Sequence, residues 1–278
     1  MWLALGKTTQ GISYPTGQGS GTYYTTITAS ASTNTKGSYS ELYPSVPFDS
    51  YMAIHVCRTP STGFFLFDVA LGASSSEVVI WENLCHNVQA ASGGYDVMYD
   101  TVWSFPTVIP KGTRVSARCQ QYSGGGSIQV KVQLYPVALG TLSYPAGVIT
   151  LGADTSDSAG TTSAPSVINT YGAWVALSAS TPHPFKGFRL GFTTAGANTG
   201  LSNYWYKVDF GIGAAGSEQV IIKAFRVVSD GTYETQFPRM TPIYPIAIPE
   251  ATRIAVRSMC INDTPVDDDL DVIFYGIT

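Results

Sequence analysis

Eight charged residues occur as two sets in the same order. Asp68, Glu77, Arg114 and Arg118 return about 140 positions later as Asp209, Glu218, Arg253 and Arg257. In each set the glutamate follows a serine and the arginines stand four apart. Residues four apart on a strand share a face, so both guanidinium groups of a set project to one side. Only 12% of the chain is charged, about half the usual ~25%, so these groups have few other partners. The chemistry they offer is charge pairing. Two forms are open: a structural salt bridge inside each repeat, or a contact between subunits. The expected partners are Glu77 with Arg118 and Glu218 with Arg257.

Other reactive groups lack the spacing that chemistry needs. His55, His86 and His183 lie far apart with no i,i+2 or i,i+4 pair, so they read as isolated surface or half-buried imidazoles rather than zinc ligands. Gly211-Ile-Gly-Ala-Ala-Gly216 spells G-x-G-x-x-G, but it runs into Glu218-Gln-Val-Ile-Ile, rich in β-branched residues. A dinucleotide site needs a helix there, so the segment predicts a turn between strands. Asn262-Asp-Thr-Pro-Val-Asp-Asp-Asp-Leu-Asp271 carries oxygen ligands of the type calcium prefers but lacks the glycine and terminal glutamate of an EF-hand. It reads as a solvated acidic turn. No G-x-S-x-G elbow is present. The chain is therefore expected to be no enzyme, with no metal and no cofactor.

The elements that would position these residues are strands. Phe65, Phe67, Val69 and Leu71 alternate with other residues, as do Tyr206, Val208, Phe210 and Ile212. Ile128, Val130, Val132 and Leu134 match Leu270, Val272 and Phe274. A period of two places such side chains on one face against a core, with Asp68, Lys131 and Asp271 on the opposite, wetter face. No run of ten residues has helical periodicity.

The repeat extends through the chain at a period of about 130–141 residues. Ser13-Tyr-Pro-Thr-Gly17 returns as Ser143-Tyr-Pro-Ala-Gly147, Asn34-Thr-Lys-Gly37 as Asn169-Thr-Tyr-Gly172, and Pro47-Phe48 as Pro184-Phe185. Phe67–Ile80 aligns without gaps on Val208–Ile221, and Phe105–Arg118 on Tyr244–Arg257. The fold expected is all-β, two tandem duplicated β-sandwich domains of jelly-roll type. The first spans 1–137 with an N-terminal leader. The second spans 138–278 with a leader rich in Gly, Ser and Thr.

Composition bounds the partners. The net charge is −4, with no cluster of Lys or Arg, which excludes nucleic acid as a natural ligand. No apolar run approaches ~18 residues, so no membrane span is expected. Cys57, Cys85, Cys119 and Cys260 are scattered without C-x-x-C spacing and read as free thiols of a reducing compartment. Seventeen tyrosines give a neutral, hydrogen-bonding surface. Tyr206 falls at an inward position, whereas Tyr23, Tyr24, Tyr95, Tyr99, Tyr122 and Tyr233 lie in polar sequence suited to protein or glycan contacts.

A tandem pair of low-charge sandwiches rich in Gly, Ser, Thr and Tyr resembles the virion proteins of tailed bacteriophages. Gly213-Ala-Ala-Gly-Ser-Glu-Gln-Val-Ile221 and Ile248-Pro-Glu-Ala-Thr-Arg-Ile-Ala-Val-Arg257 are similar to segments of such proteins. The resemblance implies a structural part of the particle, assembled in the host cytoplasm. A capsid decoration (cement) protein contacting the major capsid protein is expected first. A tail fibre, adaptor or receptor-binding component is the alternative, and a carbohydrate-binding module a further one, glycan being a ligand only in those cases. Self-association is also expected, as a trimer. Three chains of two like domains present six similar units, which fits a threefold particle to sixfold-like surroundings.

Overall fold

The structure is a computed structural model that describes residues 24–58, 63–88, 101–137, 147–165, 167–194, 204–230, 235–237, 239–262 and 270–278. Side chains of residues 57, 58, 87, 88, 101, 229, 230 and 235–237 lie outside the description. Every regular element among these residues is a strand.

The first half supplies β1 (Thr25–Thr28), β2 (Ser40–Tyr43), β3 (Ser50–Arg58), β4 (Gly63–Leu71), β5 (Val78–Val88), β6 (Thr101–Ile109), β7 (Val115–Gln121) and β8 (Ser127–Pro136). They form two antiparallel sheets in the orders β1-β8-β3-β6 and β2-β7-β4-β5. The first and last strands pair, with Ile27 opposite Ile128, and successive strands cross from sheet to sheet except β4 and β5, which pair within one. This is the eight-stranded jelly roll.

The second half adds β9 (Val148–Leu151), β10 (Ala153–Asp154), β11 (Ala159–Ser163), β12 (Val175–Ser178), β13 (Gly187–Thr194), β14 (Trp205–Ile212), β15 (Gln219–Asp230), β16 (Thr235–Phe237), β17 (Ile254–Cys260) and β18 (Leu270–Ile277). One sheet runs β10-β11-β18-β13, with β9 also on β18, and the other β12-β17-β14-β15-β16. Matching β11 to β1, β12 to β2, β13 to β3, β14 to β4, β15 to β5, β17 to β7 and β18 to β8 gives the same order in both sheets, while β16 extends the second sheet beyond β15. Local irregularities coincide too. Asn34 and Asn169, Asn83 and Ala224, and Gly72 and Gly213 all have positive φ at matching places. β4 shifts register against β5 between Phe67 and Val69, and β14 against β15 between Val208 and Phe210.

One strand lacks a full counterpart. Where β6 forms a ladder, residues 240–248 make isolated bridges, Met240 and Tyr244 to β13 and Ile248 to Phe185 just before it. Pro242 distinguishes the two: it stands where β6 has Trp103, which pairs with Ile54, and it lacks the donor that a continuous ladder requires.

The cores follow the alternation. Phe67, Val69, Val132, Leu134, Val208, Phe210, Val272 and Phe274 are all fully buried. The opposite face is less wet than the alternation predicts. Asp68 and Asp271 are buried, and only Lys131 keeps intermediate exposure. Asp68 is roofed by Lys36, and Asp271 accepts hydrogen bonds from the Gly160 amide and the Thr162 hydroxyl. Every residue of β18 is buried. Leu270, Val272 and Phe274 enter the second core, whereas Ile273, Tyr275 and Ile277, with Val148, join the cluster of the first roll. The last strand of the second roll thus contributes to both apolar interiors.

Candidate functional site

Two arrangements concentrate the polar chemistry of the described residues: a charge cluster repeated in each roll, and the seam between the rolls.

The clusters stand on the outer faces of the sheets β2-β7-β4-β5 and β12-β17-β14. In the first, Arg118 Nε donates to Asp68 Oδ2 at 3.0 Å, while Lys36 Nζ and the Asn83 amide donate to Asp68 Oδ1 at 2.8 and 3.0 Å. In the second, Arg257 donates twice to Asp209 Oδ2, at 3.0 and 2.8 Å, and the Ala224 amide reaches Asp209 Oδ1 at 2.8 Å. The place of Lys36 is taken by Tyr171, whose hydroxyl donates to Asp209 Oδ1 at 3.0 Å. An aromatic ring covers each guanidinium. Arg118 lies 4.7 Å from the Tyr39 ring centre, and Arg257 lies 4.6 Å from those of both Tyr171 and Trp174.

The remaining members pair one step along the strands. Arg114 Nη1 donates to Glu77 Oε1 at 3.1 Å and Arg114 Nε to Glu41 Oε2 at 2.8 Å. Arg253 Nη1 donates to Glu218 Oε1 at 2.8 Å. The partners thus differ from the expected ones: each glutamate takes the first arginine of its set and each aspartate the second. Register dictates this, since Asp68 lies opposite Arg118 on β7, and Asp209 opposite Arg257 on β17. All eight residues form ion pairs within the chain.

These pairs set the ionisation of their members. Burial alone would raise the carboxyls of Glu77 and Glu218. Backbone hydrogen bonds and the neighbouring arginine outweigh it and hold both below the ordinary carboxylate range. Burial lowers Lys36, against the pull of Asp68. Burial and the bond to Asp209 push the Tyr171 phenol up to about 12. With their oxygens engaged this way, the carboxylates act as clamps. They tie the strand pairs β4–β7 and β14–β17 to the segments that cross them.

The seam centres on Tyr275. Its hydroxyl accepts from the Cys85 amide at 3.0 Å, and its ring meets Trp103 edge-on at 5.3 Å and Phe105 at 6.0 Å. Arg189 donates to the Ser104 carbonyl at 3.1 Å and lies over the Phe105 ring. Arg239 donates to His86 Nδ1 at 3.1 Å, which makes that nitrogen the acceptor of a neutral imidazole. Burial, and then the Arg239 charge, depress the His86 pKa well below its usual value. His86 is fully enclosed, contrary to the surface or half-buried setting expected from sequence. The β10–β11 turn completes the seam. Gln120 donates to the Thr155 carbonyl and the Ser158 hydroxyl, and Asn34 bonds to Ser156 and Ser158.

Gly211 lies within β14, where a side chain would strike Trp174, and Gly213–Glu218 joins β14 to β15 as a turn. His55 bonds to Gln133, and His183 is exposed. Among the described residues no group of His, Cys, Asp or Glu could hold a metal ion. Residues 263–269 of the acidic turn lie outside the described residues, but Asn262 accepts from the Trp205 amide. Cys85, Cys119 and Cys260 are free and buried. The Cys57 side chain is outside the description, as are Tyr23, Tyr95, Tyr99 and Tyr233. Tyr206 is core, Tyr24 is partly exposed, and Tyr122 packs edge-on against Phe64. No described helix is long and apolar enough to cross a membrane.

Sequence reasoning missed the seam. Its signal was present in β18, where both parities are apolar, and a strand apolar on both faces is covered on both.

No protein-family model matches this chain, and no curated protein does. Among solved structures that match is PNGF-II, at 10% identity and a TM-score of 0.34, covering 91% of this chain and 65% of that one. Another is PNGase F, a glycosylasparaginase from Flavobacterium meningosepticum, at 9% identity and a TM-score of 0.34, covering 91% and 95%. The chain thus spans about two thirds of the first and nearly all of the second. At this TM-score neither likeness bears on what the chain does.

Proposed function

We propose that this chain is a non-enzymatic structural protein of a bacteriophage capsid, working as a homotrimer. The observation that carries the reading is the union, through a buried seam, of two rolls whose matched strands run β1-β8-β3 and β11-β18-β13 in one sheet and β2-β7-β4-β5 and β12-β17-β14-β15 in the other. Such a chain is a rigid pair of like units. Three of them supply six rolls and let a threefold object meet six neighbours through similar contacts. A cement trimer seated on a sixfold-like site meets that requirement, and so does a tile of the shell itself. The cement role is the first reading, favoured by the adjacent exposed apolar residues Val167 and Ile168, which suit contact with another protein.

Light scattering on the purified chain tests the trimer. Immunogold labelling of intact particles, repeated after mild chaotrope, tests the place. A tile labels the whole shell and leaves only by dismantling it. A cement protein strips off and leaves the shell closed. Label confined to the tail, or absent from the particle, would overturn both capsid roles.

A further inference from the structure

The closing strand of the second roll is bordered twice along one edge. β11 pairs with its first part, Thr161 opposite Val272, and β9 with its last, from Leu151 opposite Phe274 to Val148 opposite Ile277. In the first roll, β1 runs along β8 from Ser127 to Val130, and among the described residues no strand continues that edge. Val130 matches Val272, since each meets the threonine that opens its ladder, Thr25 and Thr161. Val132 and Leu134 therefore match Phe274 and Gly276, which face Leu151 and Ile149 of β9.

The backbone of Val132 and Leu134 is directed to this edge. Along a strand, successive residues turn their N–H and C=O groups to alternate sides. The Val137 amide donates to the Asp49 carbonyl beside β3, so the odd positions of β8 turn toward β3 and the even ones toward β1. On β18 the matching side is marked by the Thr278 amide, which donates to the Gly147 carbonyl ahead of β9. Val132 and Leu134 are each only 1% exposed. Buried backbone groups are almost always hydrogen-bonded, and no described strand supplies partners for these.

The sequence holds a candidate. Ser143-Tyr-Pro-Ala-Gly147, which leads into β9, is repeated as Ser13-Tyr-Pro-Thr-Gly17 ahead of β1. We infer that residues 18–21 of the same chain lie along β8 as a short strand, in the place that β9 takes on β18. Gln18 then stands opposite Tyr135, and Gly21 opposite Val132. Residues 22–24 bulge over Lys131 and enter β1 at Thr25, and the chain does bend at Tyr24. In the second roll the same interval is filled by the β10–β11 hairpin. β9 carries Val148, Ile149 and Leu151 because it adjoins both cores. Gln18-Gly-Ser-Gly21 has no such side chains, so its hold on the edge is main-chain bonding alone. Pro136, the counterpart of Thr278, lacks an N–H and ends the pairing at Gly17.

The test combines Ser20→Cys with Gln133→Cys in the full chain. These positions match Thr150 and Tyr275, a pair whose backbone groups turn away from each other. Such pairs bring Cα atoms to about 4.5 Å, within reach of a disulfide. Mild oxidation of the folded variant should close a disulfide within one chain, mapped by mass spectrometry. Separately, Gly19→Pro removes the amide that would reach the Leu134 carbonyl. Hydrogen exchange at the Leu134 amide should then quicken at least about tenfold while the fold is retained. Thiols that stay open in the folded variant, or that join only between chains, overturn the inference. So does exchange at Leu134 that Gly19→Pro leaves unchanged.

Discussion

The hydroxyl of Tyr275 accepts a hydrogen bond at 3.0 Å from the backbone amide of Cys85, 190 residues earlier. One side chain thus links the closing strand of the second roll to an edge strand of the first. Tyr275→Phe leaves that buried amide unsatisfied and should cost about 1–3 kcal/mol. Tyr275→Ala also opens a cavity among Trp103, Phe105 and Ile273, so a loss of roughly 3–5 kcal/mol is expected. Calorimetry should show one unfolding transition for the wild type and a split one for Tyr275→Ala. A single transition at the wild-type temperature would show that the seam does not couple the rolls.

The aspartate clamps should be costly to break from the acid side. Asp68→Ala or Asp209→Ala strands one or two cations against a face built around the carboxylate, and a loss of roughly 3–5 kcal/mol is expected. Arg118 and Arg257 keep side-chain exposures of 33% and 29%, so they can turn to water, and their removal should cost less. Urea titration of the four variants checks the order.

His86 predicts a dependence on pH. Its folded pKa is depressed below the usual 6.5, so the unfolded state binds the proton more readily. Stability is therefore full above about pH 6.5 and falls as the pH drops below it, with a slope of up to ~1.4 kcal/mol per unit. Glu77 and Glu218, whose pKa values are lowered from 4.5, add their own loss only at more acid pH. Denaturation midpoints between pH 5 and 7 should slope for the wild type and flatten for His86→Gln, which keeps an acceptor for Arg239.

The thiols supply a simple check. Burial raises Cys85 and Cys119 to about 12, so neither forms a thiolate near neutral pH. Ellman's reagent should leave these two and the buried Cys260 untouched in the folded chain and titrate them on unfolding. Rapid reaction of Cys85 in the native state would mean that the seam opens.

Much of the fold was legible because a period of two is a strong signal and the chain states it twice. Phe67 and Val208 align in sequence, and both are core. The irregular strand at 240–248 was hidden by that same alignment, which copied β6 onto a segment where Pro242 replaces a laddered Trp103. The charge sets were visible as residues but not as pairs. Which arginine meets Asp68 depends on the register between β4 and β7, and a sequence does not carry register. Lys36 and Tyr171 went unread for the same reason. They reach the buried aspartates across the sheet, from loops whose course is set by tertiary packing.

The pairing of first strand with last has a consequence in time. Ile27 meets Ile128, and Thr161 meets Val272, each across roughly a hundred residues of chain. Contacts this distant in sequence form late and slowly, so folding is expected in milliseconds to seconds. Both rolls meet that delay, and β18 must find its own sheet and the neighbouring roll together. The same topology slows the reverse path, because prising out a central strand breaks two ladders at once. A chain folded this way is expected to be durable by kinetics as well as by free energy.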